Sequence, residues 1–209
     1  MNKRQFIINK LMVSDFIETK SDCVSLLEEE ETGKSRLDIK FNRKECLCIS
    51  NVDNKHTDLY FFKDSSTLSM FKRVDHIIFE PVENAKWKIH LIEMKGHVGW
   101  AKWVDIRGKF RASYLLAQAI AKMLDMDVEE VIMYTTYEKV SFELSETTPT
   151  ARRGNVGKAG VKMEEEWNGT NFGLNFGDRF PFKHIPITMI RINEEDNHSF
   201  LYGEYCLEQ

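Results

Sequence analysis

Two acids and one amine are the residues whose types and spacing could do chemistry. Asp75 lies in RVDHIIFEP, and Glu93 and Lys95 close the run WKIHLIEMK. Period two along that run puts Trp87, Ile89, Leu91, Glu93 and Lys95 on one face and Lys88, His90, Ile92 and Met94 on the other. An otherwise apolar face therefore ends in an acid and an amine. Burying two charges there is costly unless they are paired or hold a metal. Residues 74–79 and 87–95 read as two strands, with Pro81 and Asn84 as turn formers between them. Paired as an antiparallel hairpin, they bring the start of the first strand beside the end of the second, so Asp75 meets Glu93 and Lys95. Two carboxylates and an amine at one point can hold a divalent cation and orient a water. The plainer reading of Glu-x-Lys is a surface ion pair worth under about 1 kcal/mol, and Asp75 with this strand order weighs against it.

The elements that must position these groups follow directly. Residues 109–124 carry Phe110, Ala112, Leu116, Ala117, Ile120 and Met123 at helical spacing, and Gly108 marks a helix start or a kink. Arg111, Tyr114, Leu115, Gln118 and Lys122 share one face of that helix. VEEVIMYTTY, 128–137, reads as the next strand. Strand, helix, strand at this spacing predicts a right-handed crossover to a parallel neighbour. The expected fold class is α/β, in the α+β sense of a mixed central sheet flanked by helices.

Upstream, residues 3–19 suggest a helix, and 37–41, 47–52 and 59–62 suggest strands. The acidic run 28–31 reads as a solvated turn or helix end. Gly33-Lys34-Ser35 invites a phosphate-loop reading, but the first glycine of that motif would fall on Glu28, so the pattern fails. Downstream, 144–182 is rich in Gly and polar residues, a length of irregular chain that is usually functional or disordered. Arg152, Arg153, Lys158 and Lys162 stand there with no acid between them and are candidates for contact with a phosphate backbone. Charge for solubility explains them as well. Trp167, Phe172, Phe176, Phe180 and Phe182 are read mainly as pins of this loop to the core, with base stacking as the other use. Residues 185–192 form an expected edge strand interrupted by Pro186, and 199–207 a short strand.

The 209 residues suit one domain, 1–209, with its core at about 36–140 and a Gly-rich basic insertion at about 144–182. No apolar run approaches the ~20 residues of a membrane span, and the N-terminal stretch does not read as a signal peptide. Cys23, Cys46, Cys48 and Cys206 show no disulfide framework, which points to a reducing, cytoplasmic setting. The period-two pair Cys46 and Cys48 fits one strand face rather than a zinc site. A net charge of −4 argues against a general nucleic-acid coating protein, yet a local basic groove on an acidic protein still binds phosphate.

Asp75, followed by Glu93-Met94-Lys95 at the end of an apolar strand, resembles the D…ExK signature of the PD-(D/E)XK, or restriction-endonuclease-like, nuclease superfamily. The resemblance covers about residues 73–137, including Gly96 and the helix after it. The proline that the family carries before its Asp is replaced by Val74. What the resemblance implies is a Mg²⁺- or Mn²⁺-dependent endonuclease, a hydrolase of phosphodiesters acting on DNA in preference to RNA. It implies Asp75 and Glu93 as metal ligands with the Met94 carbonyl as a third, and Lys95 as the group that orients the attacking water. Gln118 matches the family's habit of aiming a helix residue at the active site, and Arg111 joins Arg152, Arg153 and Lys158 as candidate nucleic-acid contacts. With no recognisable DNA-reading module in the chain, target choice would fall to a homodimer or a partner protein. The other reading is a nuclease scaffold without catalysis, binding nucleic acid or protein within a larger complex.

Overall fold

In the computed structural model of this chain, residues 2–30, 33–41, 45–55, 62, 69–142, 163, 165–169, 173–174, 182–193 and 199–207 are described. In chain order the elements are α1 (Lys3–Lys10), β1 (Glu18–Lys20), β2 (Cys23–Glu30), β3 (Gly33–Lys40), β4 (Cys46–Ile49), β5 (His76–Pro81), β6 (Lys86–Glu93), β7 (His97–Gly99), α2 (Trp100–Met123), β8 (Asp127–Tyr137), β9 (Lys139–Ser141), β10 (Lys183–Thr188), β11 (Ile190–Asn193) and β12 (Ser199–Cys206). The expected helix over 3–19 is confined to α1, which buries no side chain. Glu28 to Glu30 of the acidic run are strand rather than turn or helix end, because they pair antiparallel with β3, and residue 31 lies outside the described residues. The strand expected over 59–62 lies outside the described residues except for Phe62.

The main sheet is mixed, in the order β1-β4-β5-β6-β8-β10. The first three pairs are antiparallel and the last two parallel. β5 and β6 form the expected hairpin, with Asn84 and Ala85 at positive φ in its turn. β8 returns parallel to β6 through α2, as the spacing predicts. β10 is an edge strand, so Pro186 costs no ladder bond there. The chain then leaves this sheet at Met189, and the single strand expected over 185–192 becomes two strands in two sheets.

Each face of the main sheet buries a different layer. Ile49, Ile77, Phe79, Ile89 and Leu91 pack on the α2 stripe Trp103, Ile106, Phe110, Ala117 and Ile120. Cys46, Cys48, Ile78, Ile92 and Met94 pack on Leu26, Leu37, Ile39 and Leu201. The second group belongs to a four-stranded sheet, β11-β12-β3-β2. The expectation of helices on both faces is therefore corrected: one face carries a helix and the other a sheet. A short parallel pair, β7 and β9, completes the ladders.

Two buried polar clusters sit at this sheet. His90 lies 3.0 Å from both the Tyr134 hydroxyl and the Glu80 carboxylate, with all three residues buried. His184 donates from Nδ1 to the Trp167 carbonyl at 2.7 Å and accepts at Nε2 from Thr135 at 2.9 Å. That bond, with the packing of Trp167 on Trp103 and His184, seats the segment around Trp167 on the sheet. Met163, Trp167 and Leu174 join the helix-side core, and Phe182 packs edge-on against Tyr114. Phe172, Phe176 and Phe180 lie outside the described residues.

Candidate active site

The β5–β6 register pairs His76 with Ile92, and one step further out Asp75 faces Glu93. Both are almost wholly buried, 1% and 0% exposed, so neither carboxylate is a surface charge. Asp75 is fixed from three sides. Its Oδ2 accepts the Met94 N–H at 2.6 Å, its carbonyl accepts the Val52 N–H at 2.8 Å, and the preceding Val74 N–H donates to Ser113 Oγ of α2 at 2.9 Å. Lys95 is held on the other side by Thr136 of β8, whose Oγ1 accepts the Lys95 N–H at 2.9 Å. Its Nζ donates to the Met94 carbonyl at 2.6 Å and stands 3.1 Å from Glu93 Oε1 and 3.7 Å from Asp75 Oδ2.

A second ammonium completes the set. Lys109 Nζ of α2 lies 2.7 Å from Glu93 Oε1 and 3.8 Å from Asp75 Oδ1. Two carboxylates thus face two ammoniums, and the net charge of the cluster is near zero. Burial is the largest influence on Glu93 and raises its carboxyl to about 7; the Asp75 charge pushes the same way, while Lys95 and Lys109 pull back. Burial lowers the Lys109 ammonium, but Glu93 and Asp75 together outweigh it and the net shift is upward. Glu93 Oε2 is buried with no hydrogen-bond partner among the described residues. A buried acceptor left in that state costs about 1–3 kcal/mol, and such an atom is one that a cation would satisfy.

Asp75, Glu93, Met94 and Lys95 are brought together; Gln118 and Arg111 are not. Gln118 stands nine residues beyond Lys109 on α2, about 13.5 Å along the axis. Arg111 is two residues from Lys109, and positions two apart do not share a helix face. Arg152, Arg153 and Lys158 lie outside the described residues. Lys109 is the member that sequence reasoning missed. With the helix begun at 109 its stripe was cut short. The helix starts at Trp100, nine residues earlier, and Lys109 then falls between Ile106 and Ser113 on the buried stripe. A lysine inside an apolar stripe signals a buried partner.

Asp75, Glu93 and the Met94 carbonyl are the atoms that could hold a divalent cation. Among the described residues no group of three or more His, Cys, Asp or Glu gathers. That set suits Mg²⁺, which takes one or two carboxylates and completes its shell with water and substrate phosphate, rather than an all-protein cage. Among the described residues no helix is long and apolar enough to cross a membrane. No family model, curated protein or solved structure matches the chain.

Proposed function

We propose that this protein is a metal-dependent phosphodiesterase with a restriction-endonuclease-like core, a nuclease acting on DNA. The observation that carries the reading is the pair of buried carboxylates, Asp75 and Glu93, meeting across a hairpin with Lys95 at 3.1 Å from Glu93. Glu93 Oε2, which has no hydrogen-bond partner among the described residues, and the donor chemistry fit Mg²⁺ or Mn²⁺. Asp75, Glu93 and the Met94 carbonyl would hold the ion, which supplies charge neutralisation at the phosphate and acidifies a bound water. The side chains do the rest. Lys95, fixed through Thr136 and the Met94 carbonyl, orients the attacking water and stabilises charge growing on phosphorus oxygens. Asp75 keeps the Met94 carbonyl in register through the Met94 N–H. Lys109 favours the ionised form of Glu93 against the effect of burial. A reducing, cytoplasmic setting fits the lack of any disulfide among the described residues.

The second reading, a nuclease scaffold that binds without cutting, is favoured by one observation: Lys95 and Lys109 already balance both carboxylates. One experiment separates the two. Supercoiled, linear and single-stranded DNA, and RNA, are incubated with Mg²⁺ or Mn²⁺ and either the wild type or Lys95→Ala. Cleavage by the wild type alone is the expected result and names the substrate. No cleavage by either, with no metal bound in calorimetry, rejects the nuclease in favour of the binding module.

A further inference from the structure

A cleft of about 130 Å³ opens beside Lys95, on the side away from α2. Its floor is Met94, Lys95 and Gly96, and its walls come from the second sheet: Gly33, Lys34 and Ser35 at the start of β3, Arg191 of β11, and Ser199 with Leu201 of β12. We propose that this cleft binds a phosphate group of the substrate strand other than the one being cleaved. The inference rests on the nuclease reading and extends its site across to the second sheet.

Size and charge decide the ligand class. Sites for nucleoside-sized ligands run from about 300 Å³ upward, so a cleft of about 130 Å³ takes a tetrahedral oxyanion and not a sugar with its base. Lys34, Lys95 and Arg191 line it with one acid, Glu28. Each cation has a carboxylate partner outside the lining: Glu29 for Lys34, Glu138 for Arg191, and Glu93 with Asp75 for the Lys95 ammonium, which leaves Lys34 as the cation an anion can recruit. The Arg191 guanidinium is fixed by Glu138 at 2.6 Å and donates to Ser199 Oγ at 3.1 Å. Accepting from Arg191 leaves the Ser199 hydroxyl its own proton to donate. Lys34 pairs with Glu29 at 2.9 Å, but both side chains are about two-thirds exposed, and a pair so solvated exchanges for a phosphate at little cost. Gly96 brings the end of β6 close to β12: a Cβ there would stand 3.0 Å from Leu201 Cδ1. Gly33-Lys34-Ser35 has the wrong spacing for a phosphate loop, yet the second sheet delivers it to the catalytic lysine.

The test uses the full chain and short DNA strands with a 5′-phosphate, with a 5′-hydroxyl, and closed into a circle. Lys34→Ala and Lys34→Glu are compared with wild type for Kd without metal and for KM and kcat with Mg²⁺. Lys34 is exposed, so its substitution leaves the fold in place. Lys34→Ala is expected to raise Kd and KM about tenfold, more than it lowers kcat, and to reduce the salt slope of binding by about one. Lys34→Glu is expected to do more. Inorganic phosphate is expected to compete with DNA for the wild type and less well for Lys34→Ala. Loss confined to the 5′-phosphorylated strand assigns the cleft to a terminal phosphate; equal loss on the circle assigns it to an internal phosphodiester. Cleavage with Kd, KM and salt slope unmoved overturns the cleft and leaves the nuclease standing. A wild type that neither binds nor cuts any strand overturns both.

Discussion

Lys109 governs what Glu93 can do. Of the groups around that carboxyl, Asp75 opposes its ionisation and Lys95 and Lys109 favour it. Lys109→Met removes one of the two cations, so Glu93 keeps its proton to higher pH and metal binding requires more alkaline solution. The acid limb of the pH–rate profile is expected to move upward, with about a tenfold loss at neutral pH recovering toward pH 9. A limb that stays in place would separate Lys109 from the chemistry. The wild type carries the same signature in binding. Below the Glu93 value of about 7, the Mg²⁺ proposed to bind there would have to displace a proton, and its affinity is expected to fall about tenfold per pH unit in calorimetry. A pH-independent affinity would remove Glu93 from the ligand set.

At the scale of elements, α2 positions the site through two contacts, Lys109 on Glu93 and Ser113 on the backbone before Asp75. Ser113→Ala leaves the Val74 N–H buried without its acceptor and is expected to cost about 1–3 kcal/mol in urea unfolding. Gly108 sits inside the helix next to Lys109, and a Cβ there would meet nothing within 4 Å. Gly108→Ala is therefore expected to stabilise the protein by about 0.5–1 kcal/mol. Destabilisation instead would mean that the helix needs a break at this turn. The far end of α2 closes with Asp125 at φ 59 and the Met126 N–H bonded to the Ala121 carbonyl, a left-handed cap without glycine.

The whole molecule stacks a helix and a second sheet on opposite faces of one mixed sheet, and buried histidines tie the outer segments to it. Burial lowers His184 to about 4 from 6.5, so it is neutral in the folded protein. The unfolded chain binds this proton first, so the stability His184 allows is complete above about 6.5 and is lost as pH falls toward about 4. His76 acts in the same sense, and Glu93, whose carboxyl is raised, acts in the opposite one. His184→Gln isolates the first contribution. The stability of wild type relative to this variant is expected to drop by about 2 kcal/mol between pH 7.5 and pH 5. A constant difference would show that His184 is not a neutral buried group.

The sequence by itself determined the hairpin, the parallel return through a helix and the meeting of Asp75, Glu93, Met94 and Lys95. These depend on local periodicity and on antiparallel register, which the turn and the apolar alternation set. Cys46 and Cys48 falling together on one face, and the edge position of Pro186, were legible for the same reason. Only the tertiary structure decided what covers the second face. β3 pairs with β12 across a separation that no local pattern records, and the alternation of Leu37 and Ile39 states that they are buried without stating against what. The same limit hid Lys109 and the cleft at Lys34, Arg191 and Ser199. Each takes its meaning from a partner brought close by packing between layers.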